Sequence, residues 1–135
     1  MPRLTRWYVK TAMLYLLVAL LLGVLMQGPA SPTPIPVVAW PTYLHLLVVG
    51  WLTQLIFGIA FWLFPRYSSE RPRGNEGLGW AGYGFLNVGL LLRVLGERLP
   101  APGASAGWLL VASAVAQLIA GWAFVVAIWP RVKER

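Results

Sequence analysis

Four long apolar segments alternate with short segments that are rich in proline, glycine or charge. The apolar segments cover residues 7–26, 41–64, 78–97 and 108–129. A helix rises 1.5 Å per residue, so about 20 residues cross a hydrocarbon core of ~30 Å. The pattern therefore predicts an all-α membrane protein with four transmembrane helices, in which residues 1–135 form a single membrane domain.

The composition agrees with a protein that has lipid as its main solvent. The chain is 59% hydrophobic and 11% charged, and its four acidic residues are all glutamates. A soluble domain of this size carries considerably more charge. With no cysteine, no aspartate and one histidine, the chain by itself cannot form a disulfide, a multi-histidine metal centre or a Ser-His-Asp triad.

The net charge of +7 is distributed in a way that indicates membrane topology rather than nucleic-acid binding. Nine of the eleven lysines and arginines flank the apolar segments on one predicted side: Arg3, Arg6, Lys10, Arg66, Arg71, Arg73, Arg131, Lys133 and Arg135. The positive-inside rule then predicts an up-down-up-down bundle with both termini in the cytoplasm. We expect the protein in the inner membrane of a bacterium.

Two uncharged or weakly charged linkers lie on the opposite predicted side. Residues 27–40 contain four prolines, which favours a stiff polyproline II strap, and residues 98–107 form a second linker. Pro41 is expected in the first turn of the second helix, where its missing N–H costs nothing. An alternative for the N-terminus is a secretory signal peptide cleaved near Ala30, but the prolines on both sides of that position argue against it.

His45 is the only histidine and lies in the second apolar segment. The predicted topology puts it near the outer face, about one turn inside the helix. An imidazole in lipid must find a partner, because an unsatisfied polar group there costs several kcal/mol. Two interpretations are open: a structural hydrogen bond to a neighbouring hydroxyl or carbonyl, or a ligand site.

The same helix has a second specialised face. Gly50, Gln54 and Gly58 are four residues apart and form a stripe on the side away from His45. Small residues at this spacing let transmembrane backbones approach closely. The stripe therefore either packs within the bundle or docks onto a partner.

Arg93 is a candidate anion-binding residue in the third helix. It lies one turn before Glu97, so an i,i+4 ion pair is predicted, and its depth matches that of His45. The arginine either snorkels to the interface or holds an anionic group, such as a cofactor carboxylate, beside His45.

Further small and polar residues predict helix packing. Gly82, Gly89 and Gly96 are seven residues apart and form a seam on the third helix. Asn87 and Gln117 are expected to make interhelical hydrogen bonds.

Three stretches carry a resemblance to a known family: His45-x4-Gly50-Trp51-x6-Gly58-x6-Pro65, Phe85-Leu86-Asn87-Val88-Gly89, and residues 124–132. The first resembles the second helix of haem–copper oxidase subunit I, especially in C-type oxidases and nitric oxide reductases. The chain looks closest to short, stand-alone, subunit-I-like membrane proteins of bacteria. In the large subunits the matching histidine is an axial ligand of a low-spin haem b on the outer side of the membrane.

The resemblance implies a haem site without a catalytic centre. The large subunits take the second axial histidine, the copper ligands and the high-spin haem ligand from later helices, and this chain has no histidine there. Short relatives often carry a second histidine two residues earlier, where this chain has Tyr43. The sixth iron position could be filled by His45 of a second copy in a C2 homodimer, or by Met26.

The sequence therefore predicts a non-catalytic haem b protein without copper, in or beside a respiratory electron-transfer chain. His45 is its expected axial ligand and Arg93 the expected contact for haem propionates. A second hypothesis is a cofactor-free accessory or assembly subunit, which docks onto a larger oxidase or reductase through Gly50, Gln54 and Gly58. A third is a small dimeric transporter, against which the lack of an acid at mid-depth argues.

Overall fold

A computed structural model describes residues 1–27, 35–64, 75–98 and 104–132. Its α-helices are α1 Arg3–Gln27, α2 Ile35–His45, α3 Gln54–Leu63, α4 Glu76–Arg98 and α5 Ala104–Ile128. A π-helix, Leu46–Thr53, joins α2 to α3, and a short 3₁₀ helix, Trp129–Arg131, follows α5. We call the continuous run from α2 through the π-helix to α3 the second span.

Four helices are long and apolar enough to cross a membrane: Arg3–Met26, Trp40–Leu63, Glu76–Arg98 and Gly107–Arg131. Much of their surface faces outward, and apolar side chains such as Leu17 and Val24 are about two-thirds exposed, at 65% and 69%. Such a surface suits lipid rather than water. The predicted all-α class and the four apolar helices are confirmed.

The proline-rich segment differs from its prediction. Residues 35–40, expected to be extended, are the first residues of α2, and Pro41 lies inside that helix instead of in its first turn. Pro36 takes the first-turn position, where a proline is compatible with a helix. Pro41 has no N–H to donate to the carbonyl four residues earlier, so one backbone hydrogen bond is missing in the N-terminal part of the second span.

The second linker is shorter than predicted, because α4 includes Arg98 and α5 begins at Ala104. Other parts of the predictions lie outside the described residues. These are the rest of the proline segment, the basic loop with Arg66, Arg71 and Arg73, and the C-terminal residues Lys133 and Arg135.

Helix α1 packs closely and antiparallel against the second span, through glycines. A Cβ on Gly58 would lie 2.6 Å from the Cβ of Tyr8, and one on Gly50 would lie 2.8 Å from Cγ of Tyr15. Only glycine permits this approach of the two helices. The order of these contacts, Gly50 with Tyr15 and Gly58 with Tyr8, shows that the helices run in opposite directions.

Helices α4 and α5 form a second close antiparallel pair. Gly82, Gly89 and Gly96 are all buried, and a Cβ on Gly89 would lie 3.0 Å from the carbonyl oxygen of Ser113. The Ser113 hydroxyl donates to the carbonyl of Gly89 at 2.6 Å. The predicted glycine seam is therefore confirmed as a packing face.

Hydrogen bonds from α1 to α4 connect the two pairs. Their partners are 71 or 72 residues apart: Tyr8 Oη to the Gly79 carbonyl at 3.2 Å, Thr11 Oγ1 with Tyr83 Oη at 2.7 Å, and Tyr15 Oη to Asn87 Oδ1 at 2.9 Å. A constant separation along both helices means that α1 and α4 run in the same direction.

The interhelical hydrogen bond predicted for Asn87 is confirmed. Gln117 instead donates within α5, to Ser113 Oγ at 3.1 Å.

Arg131 links the end of α5 to the end of the second span. Its side chain is buried, and its Nη2 donates to the carbonyl oxygens of Phe61, at 3.2 Å, and Phe64, at 2.7 Å. Phe61 lies in the last turn of α3 and Phe64 directly follows the helix, where the helix C-terminus attracts a cation. Arg131 is thus a helix cap as well as a flanking charge.

Candidate functional site

The ring of His45 is held by its own helix. Its Nδ1 lies 2.9 Å from the carbonyl oxygen of Pro41, one turn earlier. A carbonyl oxygen only accepts, so Nδ1 carries the proton. In the neutral ring, Nε2 then keeps its lone pair, which is the state of a histidine that binds a metal. One of the two open interpretations, a hydrogen bond to a carbonyl, is therefore observed, and it leaves Nε2 able to act as a ligand.

The helix changes type directly after His45. The π-helix begins at Leu46 and continues to Thr53. π-helical turns are rare and are frequently found at functional sites. The histidine therefore lies at the junction between two helix geometries, with its ring half-buried.

A polar cluster lies one turn before His45 and consists of Thr42, Glu97 and Arg93. The hydroxyl of Thr42 donates to Glu97 Oε2. Arg93 Nε donates to the other carboxylate oxygen at 2.5 Å, which confirms the predicted i,i+4 ion pair. Thr42 is 1% exposed, and the Glu97 side chain is 8% exposed. The cluster ties α4 to the turn that precedes His45.

The cluster bears on the predicted role of Arg93. The side chain of Arg93 is 27% exposed and its charge is balanced by Glu97. An anionic group that approached Arg93 would compete with this carboxylate. Arg93 is thus brought near the turn before His45, as its depth predicted, but with a partner already in place.

Met26 lies half-buried near the end of α1. One turn earlier, a Cβ on Gly23 would lie 3.1 Å from the ring of Tyr43. Tyr43 is two residues from His45, so the end of α1 packs against the segment that carries the histidine. The thioether is therefore on a neighbouring element, and its role as a ligand stays a prediction.

The stripe of Gly50, Gln54 and Gly58 lies inside the bundle. All three residues are buried, and the two glycines face Tyr15 and Tyr8 of α1. The prediction that this stripe is a docking face is therefore wrong, because α1 already occupies it. Of the two interpretations, ordinary helix packing is the one observed.

Gln54 is the unusual member of this stripe. It is 0% exposed, and neither its Nε2 nor its Oε1 has a hydrogen-bond partner among the described residues. A buried amide without partners is costly. Gln54 therefore lies between two packing glycines without a hydrogen bond, among the described residues, that would explain a polar side chain at this position.

Thr42 and Arg131 are two residues whose roles sequence patterns did not reveal. Thr42 is a small residue next to a proline, and nothing in its spacing identifies Glu97 as a partner 55 residues away. Arg131 follows a proline at the end of a span, which is typical of a flanking charge. Its burial becomes visible only when α5 and α3 are packed together.

No group of three or more histidine, cysteine, aspartate or glutamate side chains that could hold a metal ion occurs in the described ranges. The expected absence of copper stays a prediction. A haem iron needs a single axial donor from a chain, and His45 Nε2 is of the right chemical type.

Comparison with family models, curated proteins and solved structures finds no match. The resemblance to haem–copper oxidase subunit I therefore rests on the three stretches of sequence alone.

Proposed function

We propose that the protein is a non-catalytic haem b-binding protein, with Nε2 of His45 as an axial ligand of the iron. The observation that carries the proposal is the 2.9 Å contact between His45 Nδ1 and the carbonyl of Pro41. Histidines that bind metals usually donate their other ring N–H to such an acceptor, which fixes the tautomer and the ring plane. Bound haem b supplies one-electron transfer. The proposed setting is a respiratory chain.

The proposed assembly is a homodimer in which His45 of each copy faces the same haem. The chain has a single histidine, and a C2 axis places identical residues opposite each other. The ring of His45 is half-buried rather than enclosed, which favours an interface between copies over a site within one bundle. Met26 is the alternative source of the sixth ligand.

The proposed orientation has both termini in the cytoplasm of a bacterium and the protein in the inner membrane. The support is the clustering of lysine and arginine on one predicted side. Helices α1 and α4 then cross outward, and the second span and α5 cross inward. His45 and the cluster of Thr42, Glu97 and Arg93 lie near the outer face.

The test is the absorbance spectrum of the purified protein after expression with added haem precursor. We expect a Soret band and sharp reduced bands in the wild type. His45→Ala should abolish them, and Tyr43→Phe, two residues away, should keep them. Circular dichroism serves as the check that each variant is still helical. A colourless wild type, or a His45→Ala variant with an unchanged spectrum, would contradict the proposal.

Haem stoichiometry separates the two sources of the sixth ligand. A shared haem predicts one haem per two chains and a dimeric mass in detergent. Ligation by Met26 predicts one haem per chain, with a spectrum that changes in Met26→Leu. Arg93→Gln should speed haem loss if Arg93 contacts a propionate, and haem retention equal to that of the wild type would remove Arg93 from the site.

A cofactor-free accessory subunit of a larger oxidase or reductase is the second proposal from the sequence. Docking through Gly50, Gln54 and Gly58 does not fit the packing of these residues against α1. Such a subunit would have to use an outward lipid-facing surface instead. A colourless wild type that co-purifies with an oxidase would favour this function.

A further inference from the structure

A groove lies between α1, α4 and the outer part of the second span. It encloses about 380 Å³, and nine of its twelve lining residues are leucine or valine. Leu46 and Leu90 form its floor and are 5% and 0% exposed. Three leucines of α1 that line it, Leu14, Leu21 and Leu25, are exposed, so the groove opens sideways towards lipid.

The polar groups at the inner end of the groove are already satisfied. Tyr15 donates its hydroxyl to Asn87 Oδ1 at 2.9 Å. This bond closes the groove towards the middle of the bundle. Thr42 lines the groove towards the outer end, and its hydroxyl is donated to Glu97. An occupant therefore meets hydrocarbon along the groove and finds no free hydroxyl there.

The length of the groove matches one leaflet of a bilayer. Leu14 and Leu25 both line the groove and are eleven residues apart on α1, which corresponds to about 16 Å of helix. Half of a hydrocarbon core is about 15 Å. A single acyl chain that enters beside Arg98 would reach the Tyr15–Asn87 bond with its end.

A cation stands at the mouth of the groove. Arg98 is exposed in the last turn of α4 and lines the outer end. Arg93, the other arginine of this helix, is paired with Glu97. The charge offered to an occupant at the headgroup level is therefore that of Arg98, which favours a phosphate.

We propose that this groove binds one anionic phospholipid, with an acyl chain along Leu46 and Leu90 and the phosphate against Arg98. An isoprenoid quinone is a poorer match, because its ring carbonyls need donors within the site and the hydroxyls that line it are already engaged. The proposal does not depend on haem binding.

The test is native mass spectrometry of delipidated protein that is given equimolar phosphatidylglycerol and phosphatidylcholine with identical acyl chains. The wild type should retain one phosphatidylglycerol in preference to phosphatidylcholine by about fivefold, the factor that one basic residue contributes near an anionic surface. Arg98→Gln should reduce this preference to near one. Arg6→Gln removes an exposed arginine at the opposite end of the bundle, and should leave the preference unchanged.

A second variant tests the groove itself. Val94 lines it one turn before Arg98, and Val94→Trp should fill it and abolish retention of either lipid. If Val94→Trp does not fold, the lipid preference of Arg98→Gln is the deciding measurement. Equal retention of both lipids by the wild type would overturn the proposal. It would also be overturned if Arg6→Gln and Arg98→Gln reduced the preference for phosphatidylglycerol equally. Displacement of the lipid by inorganic phosphate would indicate a headgroup site without a groove, and displacement by menaquinone would indicate a quinone site. Either result would also overturn it.

Discussion

The guanidinium of Arg131 donates a hydrogen bond to the carbonyl oxygen of Phe64, across 67 residues of sequence, at 2.7 Å. This contact and the one to Phe61 satisfy carbonyls that the last turn of a helix leaves without partners. The arginine is 2% exposed, so its charge interacts with these carbonyls where water competes little.

Arg131→Met should lower the free energy of unfolding by about 2–3 kcal/mol, because hydrogen bonds to a buried charged group are lost. Unfolding by SDS titration in mixed micelles, followed by circular dichroism, measures the change. Arg6→Met, which alters an exposed arginine of α1, is the control and should change stability little. Equal effects of the two substitutions would mean that Arg131 is only a flanking charge.

Gln54→Leu should raise the stability of the protein by about 1 kcal/mol. The amide of Gln54 is buried without a hydrogen-bond partner in the described part of the chain, so the substitution removes a desolvation cost and no bond. Gln117→Leu is the matched control, because Gln117 donates to Ser113 and its loss should be destabilising. If Gln54→Leu lowers stability as Gln117→Leu does, Gln54 has a partner that its surroundings do not reveal.

Gly58→Ala should destabilise the pairing of α1 with the second span by about 1–3 kcal/mol, since an added Cβ would lie 2.6 Å from the Cβ of Tyr8. In contrast, a Cβ on Gly121 meets nothing within 4 Å. Gly121→Ala should therefore leave stability unchanged or raise it slightly, because alanine is the better helix former. SDS unfolding of both variants tests the difference. If Gly58→Ala is as stable as the wild type, α1 and the second span can move apart at this contact without a measurable cost in stability.

Tyr15→Phe should cost about 0.5–1.5 kcal/mol, as the hydrogen bond to Asn87 is lost while the ring remains. Tyr43→Phe is the control, because the ring of Tyr43 stacks on Trp40 with its centroid at 5.6 Å, a contact that does not use the hydroxyl. Thermal unfolding in detergent of both variants provides the comparison. A larger loss of stability in Tyr43→Phe than in Tyr15→Phe would contradict the hydrogen bond assigned between Tyr15 and Asn87.

The four apolar helices, the glycine seam of α4 and the Arg93–Glu97 pair could be predicted because each follows from short-range periodicity. The burial of Gly50 and Gly58 could be predicted as packing, but not the partner, since Tyr8 and Tyr15 come from another helix. The helical geometry of residues 35–40 could not be predicted, because prolines favour extended chain locally while Pro36 also fits a first helical turn.

The candidate site was predictable at His45 and in the Arg93–Glu97 pair, but not in the contacts that join them. The imidazole was identified because it is a single ionisable ring in an apolar segment. The hydrogen bond of His45 to Pro41 depends on the ring rotamer, and the bond between Thr42 and Glu97 depends on two helices meeting. Neither relation leaves a signal in residue spacing.

The number of residues in the π-helix Leu46–Thr53 determines how the side chains of α2, including His45, are oriented relative to those of α3. In this segment each carbonyl accepts from five residues ahead rather than four. A π-helical turn takes up more residues than an α-helical turn, so the same residues wound as an α-helix would turn α2 by about 100° relative to α3 for each extra residue. Removing one residue from this segment would allow a return to α-helical geometry while Thr42 stayed against Glu97 and Gly58 stayed against α1. A deletion within α3 has no extra residue to remove, and it would turn the residues on its two sides apart by about 100°.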